Sequence, residues 1–227
     1  MSLVNVTIDG EVALMTMQSG ENRFNVELVS AILSALHELE HNGKIRAVVI
    51  TGSGKYFSNG LDLVNLAKLN DEQRKNFILD FHAMLRNVGI FPKPTVCAIN
   101  GHAFAGGAML AALADFRYMR ADRGWVCLPE VDIQLPFWPG MIALLEESFS
   151  KPLFRDVAYS GRRYTAQQLL DMGFIQGIFS HEELIPKCIG IARKLSKKNL
   201  SAYKTIKERM RADMLKVMDT EDPHYFF

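Results

Sequence analysis

Three short segments carry the residues whose types and spacing could do chemistry. The first, Ile99-Asn-Gly-His-Ala-Phe-Ala-Gly-Gly-Ala-Met109, runs an apolar β-type stretch into a glycine-rich turn and then directly into a helix. The first N–H groups of a helix have no internal partners, and the macrodipole makes that end partly positive. Glycine there lets a ligand approach the main chain closely. Such a turn suits an anion, a developing oxyanion in particular. A phosphate cradle is the competing function, but the Lys-Ser/Thr of a P-loop is missing. Gly106-Gly107 fits equally well a helix–strand crossing too tight for any side chain. The second segment, Tyr56-Phe-Ser-Asn-Gly-Leu-Asp-Leu63, is another turn after a buried strand. Alone it reads as structural; beside the first it could bring a second N–H to the same carbonyl oxygen. In the third, Cys127-Leu-Pro-Glu-Val-Asp-Ile133, Glu130 stands among apolar neighbours, with Leu135, Phe137 and Trp138 close behind. A desolvated carboxylate has a raised pKa and is a better proton acceptor. The alternative is a side chain that escapes to solvent or caps a helix.

The elements that must position these groups follow from periodicity. Val4, Val6 and Ile8 alternate, Asp9-Gly10 turns the chain, and Val12, Leu14 and Met17 continue, which predicts a hairpin. Asn25 is the expected N-cap of a helix whose apolar stripe is Leu28, Val29, Ile32, Leu33, Leu36 and Leu39. Arg46–Thr51 and Thr95–Ile99 read as strands covered on both faces. Helices are expected at Asp71–Val88, Gly106–Leu113, Met141–Phe149, Thr165–Met172 and Glu182–Lys197, and strands at Asp115–Met119 and Trp125–Leu128. Ala202–Val217 reads as one amphipathic, basic helix. Strands and helices alternate through the first 175 residues, predicting an α/β fold with largely parallel strands. The division expected is a core over 1–180 carrying the site and a helical region over 181–227.

Composition removes other classes. The 227 residues are 48% apolar and 22% charged, ordinary for a globular protein with a sizeable core. A formal net charge of +1 gives no field favouring nucleic acid or an anionic membrane. Cys97, Cys127 and Cys188 form no CxxC or Cys/His cluster, so no metal site is expected, and their sparse, odd number fits a reducing compartment. The N-terminal segment lacks the pattern of a secretory or transit peptide, so a cytoplasmic location is expected. Pro94–Ala114 is free of formal charge and long enough to span a bilayer. Its central Asn-Gly-His and Gly-Gly would leave backbone unpaired in lipid, so it reads as the buried heart of a fold.

Together, FSNGLDL, INGHAFAGGAMLAALADFR and LPEVDIQLP resemble the enoyl-CoA hydratase/isomerase (crotonase) family in order and spacing, over roughly Val4 to Phe179. The resemblance implies a spiral of ββα units with a small C-terminal helical subdomain, an acyl-CoA substrate, and homotrimers or dimers of trimers. Coenzyme A is then part of the substrate, and no separate cofactor is expected. Carried over by motif, the thioester oxygen is held by the N–H groups of Leu61 and Gly106. Arg23 and Phe24 fall where the family contacts the CoA moiety through the main chain. Ser58, Asn59, Gly60, Asp62, Gly107, Met109 and Phe137 surround the substrate, Asp62 also capping the next short helix. Hydratases of the family carry two glutamates that activate water; here Glu130 supplies one, and Met109 stands where the other would be. Methionine carries no proton at neutral pH. The remaining pattern resembles Δ3,Δ2-enoyl-CoA isomerases, with Glu130 as the single proton shuttle. Hydration or another crotonase-type reaction is the alternative, and a non-catalytic acyl-CoA-binding protein a third. Asp132, Glu146 and Glu147 read as solvated or capping groups, and His102 as a packed, hydrogen-bonded histidine. Lys55, Lys93, Lys204 and Lys207 read as surface lysines, with contact to the CoA phosphates as their alternative.

Overall fold

A computed structural model describes residues 2–226. The chain opens with the expected hairpin, β1 (Val4–Asp9) antiparallel to β2 (Val12–Met17), turned at Gly10 with φ +62°. Helix α1 (Val26–His41) begins where the Asn25 side chain accepts from Leu28 N–H. Strand β3 (Ala47–Gly52) is buried along its whole length, as its β-branched run requires. It is followed by the short β4 (Tyr56–Ser58), α2 (Leu63–Leu66) and α3 (Asp71–Gly89), the last started by an Asn70–Gln73 capping box. Then come β5 (Thr95–Ile99), β6 (His102–Phe104), α4 (Gly106–Leu113), β7 (Phe116–Arg120) and β8 (Val126–Cys127).

The strands sort into two sheets. One has the order β1-β2-β3-β5-β7-β9, parallel except at the hairpin, where β9 is Gly177–Phe179. The other is β4-β6-β8, all parallel. Each pair (β3 with β4, β5 with β6, β7 with β8) gives one strand to each sheet before the chain moves on, so the backbone winds as a spiral of ββα turns. Strands β4 and β6 lie in segments whose sequence reads as turns, because three residues between glycines show no periodicity. Helix α6 (Lys151–Ser160) follows α5 (Pro139–Ser148) and was not foreseen; Pro152 sits in its first turn, where proline costs no hydrogen bond. Helix α7 is Ala166–Asp171.

Helix α8 (His181–Leu195) lies across the outer face of the large sheet, burying Leu184, Cys188 and Ala192 against Val12, Ala47, Val49, Val96 and Ala98. The single terminal helix expected over 202–217 is in fact two, α9 (Leu200–Met210) and α10 (Ala212–Thr220). The break falls at Arg211, whose guanidinium donates to the carbonyls of Gly89 and Leu113, the last residues of α3 and α4, and pairs with Glu147 at 3.2 Å. A cation on two helix C-termini satisfies carbonyls that have no other partner. A 3₁₀ turn, Asp222–Tyr225, is the last regular element among the described residues. No helix among the described residues is long and apolar enough to cross a membrane; Pro94–Ala114 folds into β5, β6 and α4.

Candidate active site

A cavity of about 330 Å³ opens where the two glycine turns meet the Pro-Glu segment. Leu61, Ala105 and Gly106 form one wall, and Phe81, Met109, Leu135, Trp138 and Met141 form its apolar lining. Arg23 and Asn59 stand at the polar end. Among the described residues Glu130 is the one carboxylate in the lining.

The backbone explains how the two turns converge. Phe24 N–H donates to Gly60 O at 2.7 Å, and Asp62 N–H donates to Phe24 O at 2.9 Å. That bridge uses the groups on either side of Leu61, which lines the cavity and whose N–H has no acceptor among the described residues. Gly106 is the first residue of α4, and its N–H likewise has no protein acceptor among them. Gly60, at φ +74°, brings the turns together: a Cβ there would lie 2.8 Å from the Ala105 Cβ and 3.4 Å from the Gly106 nitrogen. Ala105 itself has φ +50° and ψ −123°, a conformation costing an alanine about 1–3 kcal/mol. Strain at this position aims the start of α4 into the cavity. Gly107 serves the tight crossing instead, since a Cβ on it would meet Ser58 O at 2.5 Å. The tight-crossing reading of the Gly-Gly pair therefore holds, Gly106 also being close-packed, with a Cβ there 3.0 Å from Phe81.

Glu130 is 6% exposed, and its Oε2 has no hydrogen-bond partner. Burial pushes its pKa up to about 7 from the usual 4.5, opposed only by a backbone hydrogen bond at Glu130 itself. Pro129 and Leu135 fix it: Asp132 and Ile133 N–H groups both donate to Pro129 O, and Leu135 N–H donates to Glu130 O at 3.0 Å. Met109 is 2% exposed and lines the same cavity, adding a thioether and no second titratable group to the lining.

The other sequence-named residues fall into two groups. Arg23 and Asn59 line the cavity, both bonded to Glu21, whose carboxyl is held below its ordinary pKa by Asn59 first and Arg23 second. Phe24, Ser58, Gly60, Asp62, Gly107 and Phe137 lie outside the lining. Phe24 is buried against Phe81, rings 5.6 Å apart, and Ser58 Oγ donates to Asn22 O while accepting from Gly60 N–H. Asp62 caps α2 through Asn65 N–H, and Phe137 packs on Phe154. These residues build the walls from behind, except Phe137, which faces a separate surface groove.

Three readings of single residues change. Lys93 and Lys207 are buried rather than superficial: Lys93 Nζ donates to Leu39 and Asn42 carbonyls at the end of α1, and Lys207 pairs with Asp115 at 2.7 Å. Glu147, by contrast, is exposed as expected and also pairs with Arg211 at 3.2 Å. His102 is packed among the rings of Tyr56, Phe104 and Trp125, yet its buried Nδ1 has no partner. Phe81, Met141 and Trp138 were missed as lining residues, because nothing in a helical stripe distinguishes a residue facing a cavity from one facing core.

A family model described as enoyl-CoA hydratase/isomerase matches residues 7–222. The chain belongs to the enoyl-CoA hydratase/isomerase family. Enoyl-CoA delta isomerase 3 of Arabidopsis thaliana is 28% identical over 220 residues, covering 92% of either chain. A solved enoyl-CoA hydratase/isomerase family protein from Pseudomonas syringae superposes with a TM-score of 0.90 at 27% identity, over 99% of this chain and 96% of its own. A Mycobacterium tuberculosis enoyl-CoA isomerase shares the fold, with a TM-score of 0.89 at 24% identity over 96% of this chain and 95% of that one. The ββα spiral is thus the crotonase fold, and an acyl-CoA substrate is consistent with the family.

Proposed function

We propose that the protein is a Δ3,Δ2-enoyl-CoA isomerase acting in the breakdown of unsaturated fatty acyl chains. The observation that carries this reading is that Glu130 is the one carboxylate among the described residues lining an apolar cavity that Met109 also lines. Water addition needs one group to take a proton from water and another to deliver one to carbon; a thioether does neither. Shifting a double bond needs only one group that removes a proton from C2 and returns it at C4. The electron pair released at C2 moves onto the thioester oxygen, giving a dienolate. The Leu61 and Gly106 N–H groups act as the oxyanion hole, each such donor being worth ~10²–10³ in rate. Collapse of the dienolate moves the double bond to C2–C3 as Glu130 protonates C4. Apolar walls keep water from a reaction that does not use it. A pKa of about 7 suits a group that must be base and then acid in one turnover.

The reading includes a homotrimer or dimer of trimers, supported by exposed apolar residues such as Val131, Ile142 and Tyr159. A cytoplasmic location accords with three buried free cysteines. The deciding experiment follows a 3-enoyl-CoA in parallel with crotonyl-CoA. Isomerisation that falls about 10²–10⁴-fold in Glu130→Gln, with little 3-hydroxyacyl-CoA from crotonyl-CoA, is the expected result. Efficient hydration would transfer the assignment to a hydratase. Tight acyl-CoA binding without C2 proton exchange in deuterated water would make it a binding protein.

A further inference from the structure

The apolar half of the cavity draws on two helices that share a contact behind it, at the terminal 3₁₀ turn. Phe81 comes from α3; Trp138 and Met141 come from the start of α5. The residues beside them in sequence, His82 and Gly140, both meet Asp222 in the terminal 3₁₀ turn. Asp222 is fully buried, and its Oδ1 accepts from Gly140 N–H at 2.6 Å. Its Oδ2 stands 3.2 Å from His82 Nε2, out of line for a hydrogen bond. Gly140 has to be glycine for this approach, because a Cβ there would lie 2.3 Å from Asp222 Oδ2. Phe226 completes the arrangement: its ring is 4.9 Å from that of Trp138 and 5.1 Å from that of His82. Trp138 therefore has the cavity on one side and the chain's last turn on the other.

We propose that Asp222 and Phe226 clamp α3 to α5 behind Trp138, and that Trp138, so held, sets the longest acyl chain the site accepts. Asp222 and Phe226 are positioning residues, remote from the reacting carbons; Trp138 is the specificity-determining one. The inference rests on the cavity being an acyl-CoA site, and its test uses binding rather than turnover so that the two can fail separately.

The measurement is calorimetric affinity for saturated butyryl-, octanoyl-, dodecanoyl- and hexadecanoyl-CoA. Each methylene buried should tighten binding about fourfold until the chain meets Trp138, after which the gain stops. Trp138→Ala should move that stop to a longer chain. Phe226→Ala and Asp222→Asn, by loosening the wall, should flatten the profile, costing the best-fitting chain about tenfold more than butyryl-CoA. Asp222→Asn keeps the shape of the side chain but could unfold the terminal turn, so Phe226→Leu and Trp138→Phe serve as milder variants, with thermal melts run on all. A profile of unchanged shape in every folded variant, or an equal loss at all chain lengths, overturns the clamp while leaving the acyl-CoA site intact. No affinity of the wild-type protein for any acyl-CoA overturns the functional reading itself.

Discussion

In the proposed reading, Glu130 couples chemistry to stability. Its carboxyl titrates near 7 in the folded chain and near 4.5 when exposed, so the folded state favours the neutral acid. The stabilisation from that preference is complete below pH 4.5 and is lost as pH rises through about 7, where a charge must be held in an apolar site. Glu130→Gln, permanently neutral, should therefore be more stable than wild type at pH 8 by up to about 3 kcal/mol, with the gap closing below pH 4.5. Urea denaturation across that range checks it; a constant gap would mean the carboxyl titrates normally. Catalysis has the opposite sign: the base form is required, so kcat/KM for isomerisation should climb with pH along a limb near 7. A limb near 4.5 in the pH–rate profile would remove Glu130 from the role of base.

At the scale of elements, the site depends on two turns packed so closely that a Cβ at Gly60 would lie 2.8 Å from the Ala105 Cβ. Gly60→Ala places a methyl group into Ala105 at a positive φ, so the turns part. The expected outcome is at least ~10²-fold loss in kcat with a smaller change in acyl-CoA affinity, read by steady-state kinetics and calorimetry. Arg211 joins three helices, and Arg211→Ala leaves Glu147 without its partner and the Gly89 and Leu113 carbonyls without their donor. A loss of about 3 kcal/mol in unfolding free energy, read by urea denaturation, is expected. Much of the element pattern was legible beforehand. Asn25, the β-branched run of β3 and the helix over Gly106–Leu113 state their structure locally, through a cap, a propensity and a composition. The break at Arg211 was not legible, because Ala202–Val217 keeps one amphipathic period across it; a contact with α3 and α4 overrides the period. Glu130 was legible as a desolvated acid from its neighbours, whereas the roles of Phe24 and Ser58 as supports depend on a bridge between distant turns.

In the whole molecule, the two ends of the chain are stitched together over the first strands. Arg193 pairs with Asp9 and Lys197 with Glu11, at 2.8 and 2.7 Å, and Arg46 Nε donates to Ser196 O. Exposed pairs of this kind contribute little each. What holds α8 in place is the apolar face it buries, Leu184, Cys188 and Ala192 on Val12, Val49 and Val96. A version ending at Phe179 should lose cooperative unfolding in differential scanning calorimetry and should bind a hydrophobic dye, while charge removal at Lys197 should leave the melting point nearly unchanged.

That dependence of the earliest strands on a late helix has a consequence during synthesis. A nascent polypeptide emerging from the ribosome at about 5–20 residues per second carries Val12, Val49 and Val96 into water many seconds before Ala192 is made. For that interval an oily, flat surface with parallel strand edges is open to any neighbouring chain. Cells making this protein quickly should therefore need trigger-type chaperones for its yield, and slowing translation should hurt recovery rather than help it.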